Sequence, residues 1–279
     1  MEVLEQEKQM NSDARCISGN SYWRATIIQS ECAQNMASRK AWPCEDAPIE
    51  LTLFVSCYNE EAYIEDTLKT VVASMALVNK TYEILVIDDC SKDKSVALVQ
   101  AFIRKNPDIN ITLRINEKNK GLAQNFVDGA FIGQGKYYRL ICGDNAEPMD
   151  TIVRVLRAIG KADMIVPYYV SAKGKNLSRR TISKLYTMLV NLASGHHMKY
   201  YNGLQVYLRH NVMRWHPSTR GFGFQAELLC LLLDKGLSYK QVPCVTVERR
   251  GGMGNAITWK NFRSVAHVLG GIFLKRITL

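Results

Sequence analysis

The runs Leu51-Thr-Leu-Phe-Val-Ser56 and Tyr82-Glu-Ile-Leu-Val-Ile87 decide the fold, because they are short, apolar and rich in β-branched residues. Such runs are typical of strands in a parallel sheet that is covered on both faces. Between them, apolar residues recur at helical spacing, and Asn59 is a predicted cap for that helix. These residues are Ile64, Leu68, Val71 and Met75. The stretch therefore predicts a strand-helix-strand unit.

The same alternation continues as far as Val166. We predict strands at 109–115, 137–141 and 163–166, and helices around 96–102, 121–132 and 148–159. This order is typical of an α/β protein with a mostly parallel sheet flanked by helices. Ligands bind at the carboxyl ends of the strands in such sheets. The loops after Ser56, Ile87 and Ile141 should therefore converge on one site.

The chain divides into three predicted parts. Residues 1–48 are polar and weakly periodic, and we treat them as an extension of unknown role. Residues 49–261 form the main domain, whose later part contains predicted helices at 182–192 and 224–233 and a strand at 241–247. Residues 262–279 are basic and amphipathic. They form either a helix packed on the domain or a helix on a membrane surface.

Composition narrows the class of protein. The chain has 279 residues, of which 47% are hydrophobic and 22% charged, as in globular proteins. No apolar run predicts a transmembrane helix, and the acidic start does not resemble a secretory signal. The eight cysteines form no CxxC pair, so we expect free thiols in a reducing cytosol and no zinc. The net charge of +10 fits either a solvated surface or phosphate handling, and no nucleic-acid motif accompanies it.

Two polar motifs follow the first two strands. In Ser56-Cys-Tyr-Asn-Glu60, the Tyr58 ring can stack on a nucleobase and Glu60 can accept base or ribose hydrogens. The alternative is an ordinary helix start. The second motif is Asp88-Asp-Cys-Ser-Lys-Asp93. A capping turn accounts for Ser91 and Asp93, but not for two adjacent aspartates after an apolar run.

A third motif, Gly143-Asp-Asn-Ala-Glu-Pro148, follows the strand that ends near Ile141. Carboxylate oxygens at this position suit Mg²⁺ or Mn²⁺, which would neutralise a diphosphate leaving group. The alternative is a polar turn before a helix that starts near Pro148. The residues alone leave both interpretations open.

Together these motifs resemble family 2 glycosyltransferases of the GT-A fold over about residues 50–260. The matching segments are Tyr58-Asn-Glu60, Asp88 to Asp93 and Asn119-Lys-Gly121. The later pattern is similar to that of polyprenyl-phosphate (dolichyl-phosphate) mannosyl- and glucosyltransferases. The segments that carry this second similarity are Tyr200-Tyr-Asn-Gly203, Phe224-Gln-Ala-Glu227, Val242-Pro243 and Arg249.

The resemblance implies a role for each matched residue. The implied nucleotide-sugar contacts are Ser56, Tyr58, Glu60, Val86, Asp88, Asp89, Gly143 and Gln225. Asp144, Glu227 and Arg249 are the implied catalytic residues, Asp144 and Glu147 the implied ligands of Mg²⁺ or Mn²⁺. Arg179 and Arg180 are candidates for binding an acceptor phosphate, and otherwise form an exposed basic turn.

The resemblance also implies a reaction, which is inverting transfer from a nucleoside diphosphate sugar to polyprenyl phosphate. Such an enzyme would serve the cell envelope from the cytoplasm, in peripheral contact with the inner face of a membrane. The alternatives are a saccharide or surface-polymer acceptor, or a catalytically inactive nucleotide-sugar-binding protein.

The chain departs from the family pattern at several positions. Cys142 replaces the first acid of the family's DxD motif, and Ser56 replaces a proline. Gly252-Met-Gly-Asn255 lacks the family's lysine, and Tyr200 stands where the family has an aspartate.

Overall fold

The structure is a computed structural model that describes residues 48–173, 177–218, 223–247, 267, 269–274 and 276. Within these ranges, side chains are described outside 171–180 and 246–247. The predicted extension 1–48 therefore lies outside the described residues except for Pro48. Arg249 and the Gly252-Met-Gly-Asn255 segment also lie outside them.

Seven strands of the described residues form one sheet in the order β3-β2-β1-β4-β6-β5-β7. The strands are β1 (Leu51–Cys57), β2 (Tyr82–Asp88), β3 (Ile111–Ile115), β4 (Tyr137–Cys142), β5 (Met164–Lys173), β6 (Val206–Leu208) and β7 (Tyr239–Val247). All neighbouring strands pair in parallel except β6, which is antiparallel to both β4 and β5. The prediction of a mostly parallel sheet is confirmed.

Helices cover both faces of this sheet. They are α1 (Ile64–Met75), α2 (Ser95–Lys105), α3 (Leu122–Ile132), α4 (Met149–Leu156), α5 (Leu177–Ser194), α6 (Arg209–Met213) and α7 (Phe224–Asp234). Buried residues of α1, α2 and α4 join one hydrophobic cluster, and those of α3 and α7 join a second. Successive strand residues alternate between the two: Leu53 and Val55 belong to the first cluster, and Phe54 to the second. Burial on both faces explains why β1 is apolar except for Thr52 and Ser56.

Several local predictions were wrong. Asn59 does not cap α1: the helix begins at Ile64 after Tyr63, and no side chain caps it. β5 does not stop at Val166 but runs through Pro167 to Lys173. Proline is tolerated where a strand lacks a partner for its amide, and β6 pairs with β5 only at Ile165. The short elements β6 and α6 were not predicted.

The C-terminal segment is described in part. Residues 269–274 are helical, and Ile272 is buried in the second cluster, whereas Phe273 is half exposed. The Arg276 guanidinium donates from Nη1 to the carbonyl of Leu192, in the last turn of α5, at 3.3 Å. A packed helix and a membrane-surface helix both remain predictions. Among the described residues, every helix is too short or too polar to traverse a bilayer.

Candidate active site

The loops after β1 and β2 are joined by reciprocal hydrogen bonds. The Asn59 amide donates to Ser91 Oγ at 2.9 Å, and the Lys92 amide donates to Asn59 Oδ1 at 2.8 Å. Asn59 has a φ of 54°, in the left-handed region that asparagine tolerates better than most residues. The side chain that was predicted to cap α1 therefore fixes one strand-end loop to its neighbour instead.

Asp88 ends β2 and has no solvent exposure. Its Oδ2 accepts from the Ser91 amide at 2.9 Å. Its Oδ1 has no hydrogen-bond partner in the part of the chain that the structure describes. A buried carboxylate oxygen without a donor is costly, so it is a candidate acceptor for a ligand N–H or O–H group that reaches it when the site adjusts.

Asp89 has a different environment from its neighbour. Its Oδ1 accepts from the Lys120 amide at 2.8 Å and from Asn116 Nδ2 at 3.0 Å, and its Oδ2 accepts from the Gly121 amide at 2.9 Å. Gly121 has a φ of 84°, which glycine adopts without strain. Asp89 therefore holds the amino-terminal end of α3, where the helix dipole favours a negative charge. Its contact with a nucleotide remains a prediction.

Two other predicted contacts differ in their exposure. The Tyr58 ring is 49% exposed on the loop after β1, so its face can receive a planar ligand. The Val86 side chain is fully buried in the core, which leaves none of its side-chain surface for a ligand. Glu60 lies at intermediate exposure, and its backbone amide donates to Ser95 Oγ at 2.8 Å.

The loop after β4 approaches β1 closely at Gly143. The Gly143 amide donates to the carbonyl of Ser56 at 2.9 Å, and its carbonyl accepts from Thr67 Oγ1 of α1 at 2.8 Å. A Cβ atom on Gly143 would lie 2.5 Å from the Ser56 carbonyl oxygen, so a side chain would force the strands apart. This contact brings the third predicted motif to the first two. The prediction that the three loops converge is confirmed.

Asp144 and Glu147 lie in this loop with opposite exposure. Asp144 is at intermediate exposure, and its Oδ1 accepts from the Ala146 amide at 3.2 Å. Glu147 is buried, and its Oε1 accepts from Arg139 Nη2 at 2.6 Å. Burial raises the pKa of Glu147 from its usual value, and the nearby Arg139 charge opposes that shift. The Glu147 carboxylate therefore lies in the protein interior, whereas the Asp144 side chain is partly exposed to solvent.

These donors can be compared with what a divalent cation requires. Within the described ranges, no group of three or more histidine, cysteine, aspartate or glutamate residues is placed to hold a metal. Mg²⁺ is commonly held by one or two protein carboxylates, with substrate phosphates and waters completing its coordination. Asp144 can supply one such carboxylate, which is the smaller of these two numbers. The site therefore fits a cation that arrives with a diphosphate, with Glu147's ligand role remaining a prediction.

The remaining predicted residues lie on the second half of the chain. Glu227, in the first turn of α7, is buried, and its Oε2 accepts from the amide of Ser218 at 3.2 Å and from its Oγ at 2.7 Å. Gln225 is at intermediate exposure. Arg179 and Arg180 lie near the start of α5, with side chains outside the described set. All these roles remain predictions.

Arg139 is the functional candidate that the sequence reading missed. It lies within β4 and has no solvent exposure. The available signal was a single charged residue inside the otherwise uncharged run Tyr137–Cys142. Arginine is almost never fully buried unless it is paired, so this position indicated a buried acidic partner.

Curated proteins match parts of the chain in sequence. A dolichyl-phosphate beta-glucosyltransferase from Dictyostelium discoideum is 31% identical over 112 residues, covering 38% of this chain and 34% of the relative. An undecaprenyl-phosphate 4-deoxy-4-formamido-L-arabinose transferase from Yersinia pestis is 25% identical over 164 residues, covering 58% and 50%. The matched regions thus span half or less of each relative's length.

Solved structures share the fold. A glucosyl-3-phosphoglycerate synthase from Mycobacterium tuberculosis, in complex with Mn²⁺, UDP and glucosyl-3-phosphoglycerate, matches with a TM-score of 0.59 at 16% identity, over 93% of this chain and 86% of that one. A mannosyltransferase from Pyrobaculum calidifontis, in complex with GDP-mannose and Mn²⁺, has a TM-score of 0.58 at 19% identity, covering 88% and 70%. These likenesses confirm the predicted GT-A fold.

The family model described as "Glycosyl transferase family 2" matches residues 52–224, which include all three strand-end motifs. The matched region extends from β1 to the start of α7 and so contains most of the described sheet. This chain belongs to glycosyl transferase family 2.

Proposed function

We propose that this chain is a hexosyltransferase that moves a sugar from a nucleoside diphosphate sugar to polyprenyl phosphate with inversion. The observation that carries the proposal is the convergence of three strand-end loops, with the Gly143 amide bonded to Ser56 and the Asn59 amide bonded to Ser91. The names of the two curated relatives support a polyprenyl-phosphate acceptor.

The donor nucleoside would bind at the ends of β1 and β2. The half-exposed Tyr58 ring offers a stacking surface for the base. Asp88 Oδ1 offers an acceptor, and Glu60, at intermediate exposure in the loop after β1, offers a second one. Asp89 would act indirectly, by fixing α3 against these loops. Ser56, Gly143 and Gln225 complete the proposed set of donor contacts.

Asp144 would hold the cation that accompanies the diphosphate. When bound, Mg²⁺ or Mn²⁺ would neutralise negative charge on the leaving diphosphate. Arg249, which lies outside the described residues, is proposed as a charge-assisted donor to the same group. If these roles are correct, replacing Asp144 or Arg249 should lower the transfer rate more than it lowers the stability of the fold.

The bond changes of the proposed step are simple. An acceptor oxygen forms a bond to the anomeric carbon while the bond from that carbon to the diphosphate oxygen breaks. A phosphate acceptor is already anionic and needs no general base, so positioning provides most of the catalysis. A hydroxyl acceptor would need a base such as Glu227, whose Oε2 is bonded to Ser218. Arg179 and Arg180 are proposed to bind the acceptor phosphate.

The exposed face of α5 supports contact with a membrane surface. Ile182, Leu185, Met188 and Leu192 recur at helical spacing and are exposed, with Leu192 at 75%. An apolar stripe of this kind on a helix beside basic residues is typical of helices that lie in the lipid interface. We propose that the chain acts in the cytoplasm with this face against the inner leaflet. Replacing Leu185 and Met188 by glutamate should then reduce co-sedimentation with anionic vesicles.

A donor and acceptor panel tests the proposed function. Radiolabelled UDP-glucose and GDP-mannose would each be supplied with Mn²⁺ and either polyprenyl phosphate or soluble saccharides. We expect label to enter the lipid fraction with one of the donors. Label transfer to soluble saccharides alone would contradict the lipid acceptor and favour the alternative acceptor class.

A second candidate function is a catalytically inactive nucleotide-sugar-binding protein. The observation that favours it is Cys142, a thiol at the end of β4 where the family has an acid. Calorimetry with UDP and GDP in the presence of Mn²⁺, beside assays of donor hydrolysis, separates the two candidates. Binding without turnover over the whole donor panel would favour the inactive protein.

A further inference from the structure

The guanidinium of Arg139 lies beneath the loop that carries Asp144. Its Nε donates to the carbonyl of Leu204 at 3.1 Å, and its Nη2 donates to Glu147 Oε1 at 2.6 Å. The side chains of Arg139 and Glu147 are 0% and 7% exposed. The ion pair therefore joins the middle of β4 to the far end of the loop that follows it.

This pair is not fully satisfied within the described part of the chain, where Arg139 Nη1 and Glu147 Oε2 have no hydrogen-bond partner. A buried ion pair repays its desolvation only when its remaining polar atoms are also bonded. Apolar replacements of similar volume are often neutral or stabilising. A gain in folding stability therefore does not explain why the protein has this ion pair. Its position in the loop indicates another role.

The loop between the two residues is fixed at both ends. At its start, Gly143 is bonded to Ser56 of β1 and to Thr67 of α1. At its end, Glu147 is bonded to Arg139. Asp144 lies between, close enough to Glu147 for the two carboxylates to interact electrostatically. Asn145 has a φ of 50°, so the intervening turn is sharp.

We propose that the Arg139–Glu147 ion pair is a positioning device that fixes the second end of this loop and thereby orients the Asp144 carboxylate. The inference rests on the proposed function, because Asp144 is the residue that would meet the donor's cation. Glu147 is then a positioning residue and not a metal ligand. Groups that orient a ligand in this way commonly change metal affinity by about 10- to 100-fold when they are removed.

The decisive variant is Arg139→Met with Glu147→Leu, which removes both charges and leaves none unpaired. Its thermal midpoint should equal or exceed that of the unaltered protein. Without metal, backbone amides of residues 143–147 should exchange faster with deuterium. With saturating UDP, Mn²⁺ affinity measured by electron paramagnetic resonance should fall by about 10-fold or more.

Two comparisons make the result specific. The control is Arg154→Met with Asp150→Asn, which removes the exposed pair at 2.9 Å in α4 and should change neither exchange nor Mn²⁺ affinity. Glu147→Gln keeps an oxygen that can accept from Arg139 but loses the anionic ligand. It should keep most of the Mn²⁺ affinity if Glu147 only positions the loop.

Several outcomes would overturn the inference. One is unchanged Mn²⁺ affinity in the Arg139→Met, Glu147→Leu variant. Another is unchanged amide exchange in its metal-free form combined with lost affinity, because that pattern indicates direct ligation by Glu147. If the unaltered protein binds no Mn²⁺ with either UDP or GDP, the proposed function fails, and the inference that rests on it fails too.

Discussion

The loops after β2 and β4 leave the same edge of the sheet but differ in how their polar groups are satisfied. In the first, Asp89 accepts three hydrogen bonds through its two oxygens, from Lys120, Gly121 and Asn116. In the second, the buried Arg139–Glu147 pair leaves one polar atom on each partner without a bond among the described residues. The first loop is therefore a frame held by all three bonds to Asp89, although Asp88 Oδ1 beside it has no partner among the described residues. The second loop is held at its start by Gly143 and at its far end only by the incompletely bonded pair.

The two loops also differ in their agreement with the family pattern. Asp88 to Asp93 matches that pattern, whereas the β4 loop has Cys142 in place of an acid. Under the proposed function, the comparison implies that donor recognition and transfer would have separate structural supports. Substitutions in the first loop should mainly alter stability and binding, and those in the second should mainly alter turnover.

The largest expected effect tests the first loop as a frame. Asp89→Ala should lower the free energy of unfolding by about 3 kcal/mol or more, because three donors near the start of α3 lose a charged acceptor. Chemical denaturation monitored by circular dichroism measures this change. Asp108→Ala, at an exposed position, is the control and should have little effect. A stable Asp89→Ala variant would contradict the distinction between the loops.

Asp144→Ala should lower the transfer rate by about 100- to 1,000-fold, the usual effect of losing a group that stabilises charge in the transition state. Asp144 is at intermediate exposure, and its hydrogen bond from the Ala146 amide is local, so stability should change by less than about 1 kcal/mol. Steady-state rates with labelled donor and a thermal unfolding curve measure both quantities. Undiminished turnover would remove Asp144 from the proposed metal site.

Tyr58→Ala should weaken nucleotide binding by about 1–3 kcal/mol, the range found for one base stacked on an aromatic ring. The ring is 49% exposed, so its removal opens no core cavity and stability should be maintained. Calorimetry with UDP and GDP measures the loss. Tyr58→Phe is the matched control, because it keeps the ring; equal losses in both variants would exclude stacking as the cause.

The smallest effect concerns thiols at the two strand ends. Burial, with a contribution from the Asp88 charge, raises the pKa of the Cys57 thiol from 9.0 to about 12. At pH 8 Cys57 should therefore be labelled slowly in the folded state, and Cys142, at intermediate exposure, should be labelled before Cys57. Mass spectrometry after pulse alkylation identifies the order.

The same pKa shift fixes the direction of a pH effect. The folded state keeps the Cys57 proton where the unfolded state has lost it, so this thiol's contribution to stability is complete below about pH 9 and is lost as the pH rises toward 12. Unfolding measured over that interval should show lower stability at the alkaline end. Fast labelling of Cys57 at pH 8 would contradict the burial that separates it from Cys142.

The sequence was sufficient for the first half of the sheet. β1 and β2 are buried on both faces, so their sequences are mostly apolar and are interrupted within the predicted runs only by Thr52 and Glu83. β6 has three residues, which is too short for any periodic pattern to emerge. β5 continues through Pro167 because of its neighbours in the sheet, and that information is not local to the strand.

Prediction of the site was also limited by contacts between residues that are distant in the sequence. Strand ends located the three loops, since parallel strands bring their carboxyl ends together. The orientation of each side chain depended on contacts distant in sequence. Asp89 is bonded to residues 27 to 32 positions away, and Asn59 to a residue 33 positions away. Such pairs carry no sequence signal that distinguishes a frame residue from a ligand contact.

The place of β6 between β4 and β5 has a consequence for the nascent chain. β1 to β4 pair only with one another and with β6, so their part of the sheet can assemble once residue 142 has been made. β5 pairs with β6 and β7, both of which are synthesised later. A chain that stops between residues 173 and 206 would therefore present β5 without either neighbour, an unpaired apolar edge open to association. Because β6 is also the outer neighbour of β4, a chain that ends before β5 would leave the β4 edge unpaired as well, so a shortened version of this protein should end after β7.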